Sequence, residues 1–364
     1  MTLSKRDIIQ SELSKKIIEA DMFGIADIAP RVGKIKITLN CLKPKDSVII
    51  AYPESNIKKS WVNDIKLWKF KGKKIKYSTY MSFSKLKEGC DVLVLDEAHL
   101  ISEAQMIDIY KYIKKFGIKK VLALSGTLSQ DTKDKLLKVL NLSVIANYSI
   151  ESAVADGIVS DYNIQVRFTN LSSIKNIPVK WTGGNFMTSE KASFDYLSNK
   201  ILVEQNPRKK KMWRLMRMGA IKKSQSKIDL TRGILSELKD KRVLVFCGLI
   251  DVAENLGIDS YHSKSKDETV ADRFINGDLD KLAVVRQLNA GVTFKSINTA
   301  VINFFDSNEE NMAQKISRIT CLEYDNPEKV ANIIIICSTE SQERLWLEKS
   351  LTFFDKSKIK YLNY

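Results

Sequence analysis

The sequence predicts an α/β protein with two parallel-sheet domains in tandem, and three observations carry that expectation. Short aliphatic, β-branched runs at 47–51, 74–79, 92–96 and 121–125 alternate with charged stretches of helical period, as in a sheet covered on both faces. The same alternation begins again at 242–247, 282–286, 299–304 and 332–337. At 364 residues the chain exceeds one ordinary core and suits two.

Between the two sets the texture changes. SIESAVADGIVSDYNIQVRFTN is followed by Gly183-Gly184 and then by a very basic run opening at Arg208-Lys209-Lys210-Lys211. The expected division is a first domain over 1–150, a connecting segment over 151–199 and a second domain over 200–364.

Composition narrows the partners. With 59 Lys+Arg against 43 Asp+Glu the formal charge is +16, which favours a polyanion such as nucleic acid. A lysine-rich composition from an A/T-biased genome gives the same excess, so charge alone leaves both readings open. Cys41, Cys90, Cys247, Cys321 and Cys337 are scattered without metal-ligand spacing, which points away from a zinc site or a disulfide framework and toward a reducing, cytoplasmic setting. The polar start and the lack of a long apolar run predict neither export nor a membrane span.

The chemistry gathers at strand ends. The run Val92-Leu93-Val94-Leu95 delivers Asp96 and Glu97 together at the carboxyl end of a buried strand, where α/β sheets bind ligands. Asp96 is suited to Mg²⁺ and Glu97 to orienting or deprotonating a water that attacks a γ-phosphate; the alternative is an ordinary capped strand-to-helix turn. One strand later, Ser125-Gly126-Thr127 is a small hydroxylic turn placed beside those carboxylates. Upstream, 25–30 (IADIAP) runs into Arg31-Val32-Gly33-Lys34 ahead of a helical pattern, a passage fit to offer backbone N–H groups and the Lys34 ammonium to phosphates. Toward the far end, Gln314 and Arg318 follow an apolar strand, and Arg318 is a candidate for stabilising charge on a transferring phosphoryl group.

In this order the segments resemble superfamily 2 helicases and translocases, nearest the compact phage UvsW-like and Swi/Snf-like members. Asp96-Glu97-Ala98-His99 matches the DEAH form of motif II, and Gly33-Lys34 resembles motif I. Ser125-Gly126-Thr127 resembles motif III. Ile50-Ala51-Tyr52-Pro53 with Ser60-Trp61 resembles motif Ia, and 156–162 (DGIVSDY) resembles the segment leading out of the first domain. Val243 to Cys247 resembles motif IV, Leu288 to Phe294 motif V, and Gln314 to Arg318 motif VI.

The resemblance implies two RecA-like domains with a nucleotide cleft between them, ATP and Mg²⁺ as cofactors, and nucleic acid, DNA in particular, as partner. It assigns Asp96, Glu97, Gln314 and Arg318 to catalysis, with Asp96 also on the metal. Gln10, Gly33, Lys34, His99 and Gly291 go to nucleotide binding, Lys58, Lys59, Ser60 and Thr293 to the nucleic-acid backbone, and Ser125 and Thr127 to coupling. It further implies work with phage or mobile-element replication or recombination proteins, in the host cytoplasm if phage-encoded.

The chain also departs from the family pattern. Ile28 stands at the first motif I glycine, Ile35 stands where a hydroxyl binds Mg²⁺, Ser317 replaces the motif VI glycine, and Cys321 occupies the place of its second arginine. Two functions therefore stay open: an ATP-driven motor, and a degenerate helicase fold that clamps nucleic acid with little hydrolysis. A restriction-type nuclease subunit lacks a second carboxylate-and-lysine constellation. Arg208 to Lys211 with Trp213 read either as a backbone grip or as a solvated helix with Trp213 and Leu215 packed inward, while Trp61 and His262 read as structural.

Overall fold

The computed structural model describes residues 4–71, 74–181, 184–265, 267, 269–285, 297–322 and 328–363. They form two compact units, one from the residues up to 161 together with the later segment 309–328, the other from the rest.

The first unit runs α1 (Lys5–Glu19), β1 (Phe23–Ile28), α2 (Lys34–Cys41), β2 (Ser47–Tyr52), α3 (Ser55–Leu67), β3 (Lys74–Thr79), β4 (Val92–Asp96), α4 (Glu103–Phe116), β5 (Lys120–Ser125), α5 (Gln130–Leu140), β6 (Val144–Tyr148) and α6 (Ile150–Ala155). Its sheet has the order β3-β2-β4-β5-β1-β6 with every neighbour parallel. Because helices cover both faces, β1, β2, β4 and β5 are buried along nearly their whole length, which is why they read as continuous apolar runs. One face packs on Leu13, Ile17, Ile37 and Trp61, the other on Met106, Ile109 and Leu136. Sharp helix ends keep the connections short: Ser102 and Gln105 form a capping box at the start of α4, and Gly117 closes it at φ 62°.

The second unit begins with β7 (Asp161–Thr169), a hairpin of β8 (Ile177–Trp181) and β9 (Gly184–Thr188), and the helices α7 (Glu190–Val203), α8 (Pro207–Lys222) and α9 (Gln225–Glu237). It continues with β10 (Val243–Phe246), α10 (Ile250–Glu254), β11 (Ser260–Tyr261), α11 (Thr269–Asn276), β12 (Lys281–Val284) and β13 (Thr299–Ile302). After α12 (Glu309–Ser317), which groups with the first unit, come β14 (Val330–Ser338), α13 (Ser341–Ser350) and β15 (Ile359–Asn363). The strand order is β11-β12-β10-β13-β14-β7-β15, with β10, β12, β13 and β14 paired in parallel. Lys227 of α9 and Glu343 of α13 form an ion pair fully inside this unit.

Each expected apolar run contains a strand, though β10 is confined to 243–246, β12 ends at Val284 and β13 stops at Ile302. Residues 286–296, with the motif V resemblance and its Gly291 and Thr293, lie outside the described residues. Leu215 corrects one expectation: it is 55% exposed on α8, while Trp213 is half-buried. Residues two apart on a helix lie on nearly opposite sides, so the pair cannot both face inward. Trp61 is fully buried, and His262 is a buried ring whose Nδ1 accepts from the Lys264 N–H at 3.3 Å. No described helix is long and apolar enough to cross a membrane.

Candidate functional site

The carboxyl ends of β4, β5 and β1, adjacent in the sheet, bring the predicted groups of the first unit together. After β1 the chain turns through Arg31 at φ 70° and reaches Gly33, the N-cap of α2, at φ 103°. A Cβ at Gly33 would sit 2.4 Å from Nε2 of Gln10, so both conformation and space demand glycine. That buried Gln10 amide donates to the Val32 carbonyl at 2.7 Å and braces the loop.

Lys34 opens α2, and its Nζ lies 3.2 Å from Oε1 of Glu97. Gly126, in the turn after β5, lets that ammonium approach: a Cβ there would come within 3.3 Å of Lys34 Nζ and 3.0 Å of Pro30. Glu97 itself sits at φ 51°, a left-handed backbone that turns its carboxylate toward Lys34. Its other oxygen, Oε2, accepts no hydrogen bond among the described residues and has Nδ1 of His99 3.5 Å away.

Asp96 is held from three directions. The Trp61 indole N–H donates to Oδ2 at 2.7 Å, the Glu97 N–H to Oδ1 at 2.9 Å, and the Tyr80 hydroxyl to the Asp96 carbonyl at 2.6 Å. Burial, followed by the adjacent Glu97 charge, nevertheless pushes the Asp96 carboxyl up to about 6. Glu97 moves the other way. Burial alone would raise it, but Lys34, then His99 where acid protonates the ring, and Arg318 outweigh burial and hold it below the usual carboxylate range. Two neighbouring carboxylates thus have opposite proton affinities, set by which of them faces the cations.

His99 links three elements. Its Nδ1 is 2.9 Å from Oγ of Ser125, and its Nε2 is 3.0 Å from the Gln314 amide nitrogen on α12. Burial holds the ring below the ordinary histidine value, so it is neutral at pH 7; with Gln314 donating to Nε2, the proton sits on Nδ1 and is donated to Ser125. Thr127 stands at φ 94° with a buried hydroxyl that has no hydrogen-bond partner among the described residues.

Arg318 lies one residue beyond α12 and is buried in the first unit. Burial and the like charge of Arg31 lower its guanidinium to about 10, while Glu97 opposes the shift. Arg31 also donates from Nε to the Ser317 carbonyl at 3.2 Å. Glu310 of α12 accepts from the Ser129 N–H at the start of α5 at 3.0 Å. Lys58 and Lys59 are exposed and Ser60 is half-buried on α3, just ahead of Trp61 in the chain.

The residues that sequence reasoning missed are the supports: Trp61 and Tyr80 on Asp96, Arg31 beside Arg318, and Glu310 at α5. Trp61 is legible in the sequence as core, but its reach to Asp96 is not. The arrangement as a whole suits a polyphosphate. Lys34 and Arg318 act on one ionised carboxylate with Arg31 beside Arg318, the N-terminus of α2 begins at Lys34, and Gly33 and Gly126 leave no room for a side chain.

As metal ligands the residues fit in part. Ile35 has no side-chain oxygen and packs against the core, and Thr38 is fully buried with its hydroxyl on the Lys34 carbonyl at 2.9 Å, so neither presents an oxygen to a metal at the surface of the site. Among these side chains the Asp96 carboxylate is the one with the chemistry to hold a metal ion.

The two units are RecA-like. No protein-family model matches the chain, and no curated protein matches it. Solved structures do. Saccharomyces cerevisiae Dbp5 bound to RNA and ADP BeF3 superposes with a TM-score of 0.62 at 10% identity, covering 98% of this chain and 89% of that one. The Pyrococcus furiosus Hef helicase domain superposes with a TM-score of 0.50 at 11% identity, covering 95% of this chain and 97% of that one. At such identities the likeness shows the fold, which is the two-unit fold of these helicase structures.

Proposed function

We propose that the protein is an ATP-dependent motor of the superfamily 2 type that translocates on or unwinds nucleic acid. Along the chain we assign 1–150 to ATP binding, 151–199 to a connecting segment and 200–364 to the helicase C-terminal domain. One observation carries this reading: Lys34 paired to Glu97 at 3.2 Å beside the braced Asp96, with buried Arg318 alongside.

Bound ATP·Mg²⁺ would supply the γ-phosphoryl group and neutralise its charge. The protein's own groups then have separate tasks. Lys34 would exchange Glu97 for phosphate, Asp96 would hold the metal, and Oε2 of Glu97 would accept a proton from, or orient, the attacking water. Arg318 stabilises charge on the transferred group. The neutral His99 ties this chemistry to Ser125 and Gln314, so a change at the phosphate is felt by β5 and α12.

DNA rather than RNA, a phage-type role in replication or recombination, and action in the cytoplasm follow from the sequence resemblance and belong to this proposal. The nucleic-acid contacts proposed are Lys58, Lys59, Ser60 and Thr293, with Gly291 assigned to the nucleotide.

A second reading, a clamp with little turnover, is favoured by Ile35 and by Cys321, which is buried where a second arginine is expected. ATP hydrolysis with and without single-stranded, duplex and forked DNA, and with RNA, separates the two when run beside Glu97→Gln. Stimulated turnover that falls by about 10²–10⁴-fold in the variant supports the motor. Nucleic-acid binding with no turnover above the variant's background would establish the clamp instead.

A further inference from the structure

Helix α8 is the most basic element of the chain and lies outside the nucleotide site. Of its sixteen residues, PRKKKMWRLMRMGAIK, seven are Lys or Arg and none is Asp or Glu. Two of these cations are engaged in the fold. Arg217 donates to Oγ of Ser198 at 3.1 Å and to Oε1 of Gln342 at 2.6 Å, and Lys222 lies 4.5 Å over the Phe304 ring.

Arg208, Lys209, Lys211 and Arg214 are different: all are exposed and none makes an ion pair among the described residues. The carboxylate just ahead of the helix, Glu204, is lowered first by the Asn206 N–H it accepts at 2.9 Å, then by Trp213 and the charge of Lys209, and forms no ion pair with that lysine among the described residues. Three of the four cations stand in the first turns, at the positive end of the helix dipole, where a cation is disfavoured. The fold supports this arrangement from beneath, through a small cluster of Leu171, Phe194 and Ile221 with Trp346, without neutralising it.

We infer that α8 is a second nucleic-acid contact, in which Arg208, Lys209, Lys211 and Arg214 bind the phosphate backbone independently of the motor segments. The inference rests on the nucleic-acid reading above. A polyanion relieves the repulsion among these cations and their conflict with the helix dipole, and it releases condensed counterions on binding.

The exposed apolar residues decide against a lipid surface. Met212, Leu215 and Met216 are 45%, 55% and 48% exposed, but Arg208, Lys211, Met212 and Leu215 share one face at i, i+3, i+4 and i+7. The apolar part of this outward face, Met212, Leu215, Met216 and Gly219, covers only two turns and is headed by Arg208, too little apolar surface for a membrane-embedded helix. Aliphatic tips set among cations instead suit a groove lined by sugars and phosphates.

The test uses the full chain and the variant Arg208→Gln/Lys209→Gln/Lys211→Gln/Arg214→Gln, all at exposed positions. Affinity for a labelled 30-mer single strand and a 30-base-pair duplex is measured by anisotropy from low to high KCl. Each cation withdrawn from a phosphate flattens the plot of log affinity against log salt by about 0.7–0.9, so the variant's slope should be shallower by about 3, with ATP hydrolysis in the absence of nucleic acid unchanged. An unchanged slope, with the wild type still binding, overturns the inference and leaves the motor reading intact. A wild type that binds neither strand nor duplex overturns both. Wild-type sedimentation with phosphatidylglycerol vesicles that is abolished in the variant, with nucleic-acid slopes equal, assigns α8 to lipid and also overturns it.

Discussion

The candidate site around Glu97 and helix α8 both concentrate positive charge, and they treat it in opposite ways. At the site two cations share one anion: Lys34 faces Glu97, and buried Arg318, crowded by Arg31, is steadied by the same carboxylate. On α8, Arg208, Lys209, Lys211 and Arg214 point into solvent without ion pairs among the described residues. Enclosed and answered charge waits for one ligand in one geometry, because exchanging Glu97 for phosphate swaps one anion for another at fixed distance. Open charge has no such geometry, and it supplies affinity for a polyanion in many registers.

The comparison is tested most severely at Arg318. If this guanidinium serves the reacting phosphoryl group, Arg318→Ala lowers nucleic-acid-stimulated ATP turnover by about 10³-fold or more while nucleotide affinity changes little. A loss of binding equal to the loss of turnover would make Arg318 a ground-state anchor, and a change in neither would remove it from the site.

The next effect belongs to the second unit itself, which shows that uncountered charge on α8 is not a habit of that unit. Lys227 and Glu343 are both buried and paired there. Glu343→Ala strands a buried ammonium and should cost about 3–5 kcal/mol in urea unfolding, whereas Lys227→Met combined with Glu343→Leu should return close to the wild type. If the single substitution is mild, the interior of this unit tolerates unpaired charge and the exposed cations of α8 lose their distinction.

Much of this layout is legible in the sequence. Asp96, Glu97, Lys34 and the strands that carry them are local patterns, because a buried parallel strand must be apolar and must end where ligands bind. The supports are not legible, since Trp61 meets Asp96 across 35 residues of chain and Arg31 meets Ser317 across 286. Such contacts depend on side-chain reach after folding. An inward Leu215 belongs only to the solvated-helix reading, and helical period forbids it from sharing Trp213's side; Ile221 and Arg217 define the inward face instead.

Asp96 supplies the third test. Its folded-state carboxyl is raised, so the neutral form is the one the fold prefers; ionisation costs stability as pH rises from the unfolded value near 4 to about 6, and the loss is complete above that. Asp96→Asn removes this step. The stability difference, variant minus wild type, should therefore rise in the variant's favour by about 2–3 kcal/mol between pH 4 and pH 7 in nucleotide-free protein. Taking the difference cancels the opposite contribution of Glu97, whose lowered carboxyl adds stability at higher pH. A flat difference would mean that Trp61 and the Glu97 N–H already offset the burial of the charge.

The smallest effect asks whether α8 is electrostatically uncomfortable when nothing is bound. Its first turn holds Arg208 and Lys209, with Lys211 close behind, where the dipole of the helix is positive and the N–H groups of Arg208 and Lys209 already engage the Asn206 side chain. Removing those charges should stabilise the protein, by about 0.3–1 kcal/mol for each first-turn cation at low ionic strength. The fourfold glutamine variant should accordingly unfold at higher urea than the wild type at low KCl, and the gain should shrink at high KCl as screening removes the repulsion. Stability that rises where nucleic-acid affinity falls is the signature of charge kept for a partner. If the variant is no more stable at low salt, the cations are already accommodated by the fold, and the opposition between an answered site and an unanswered helix fails at its second term.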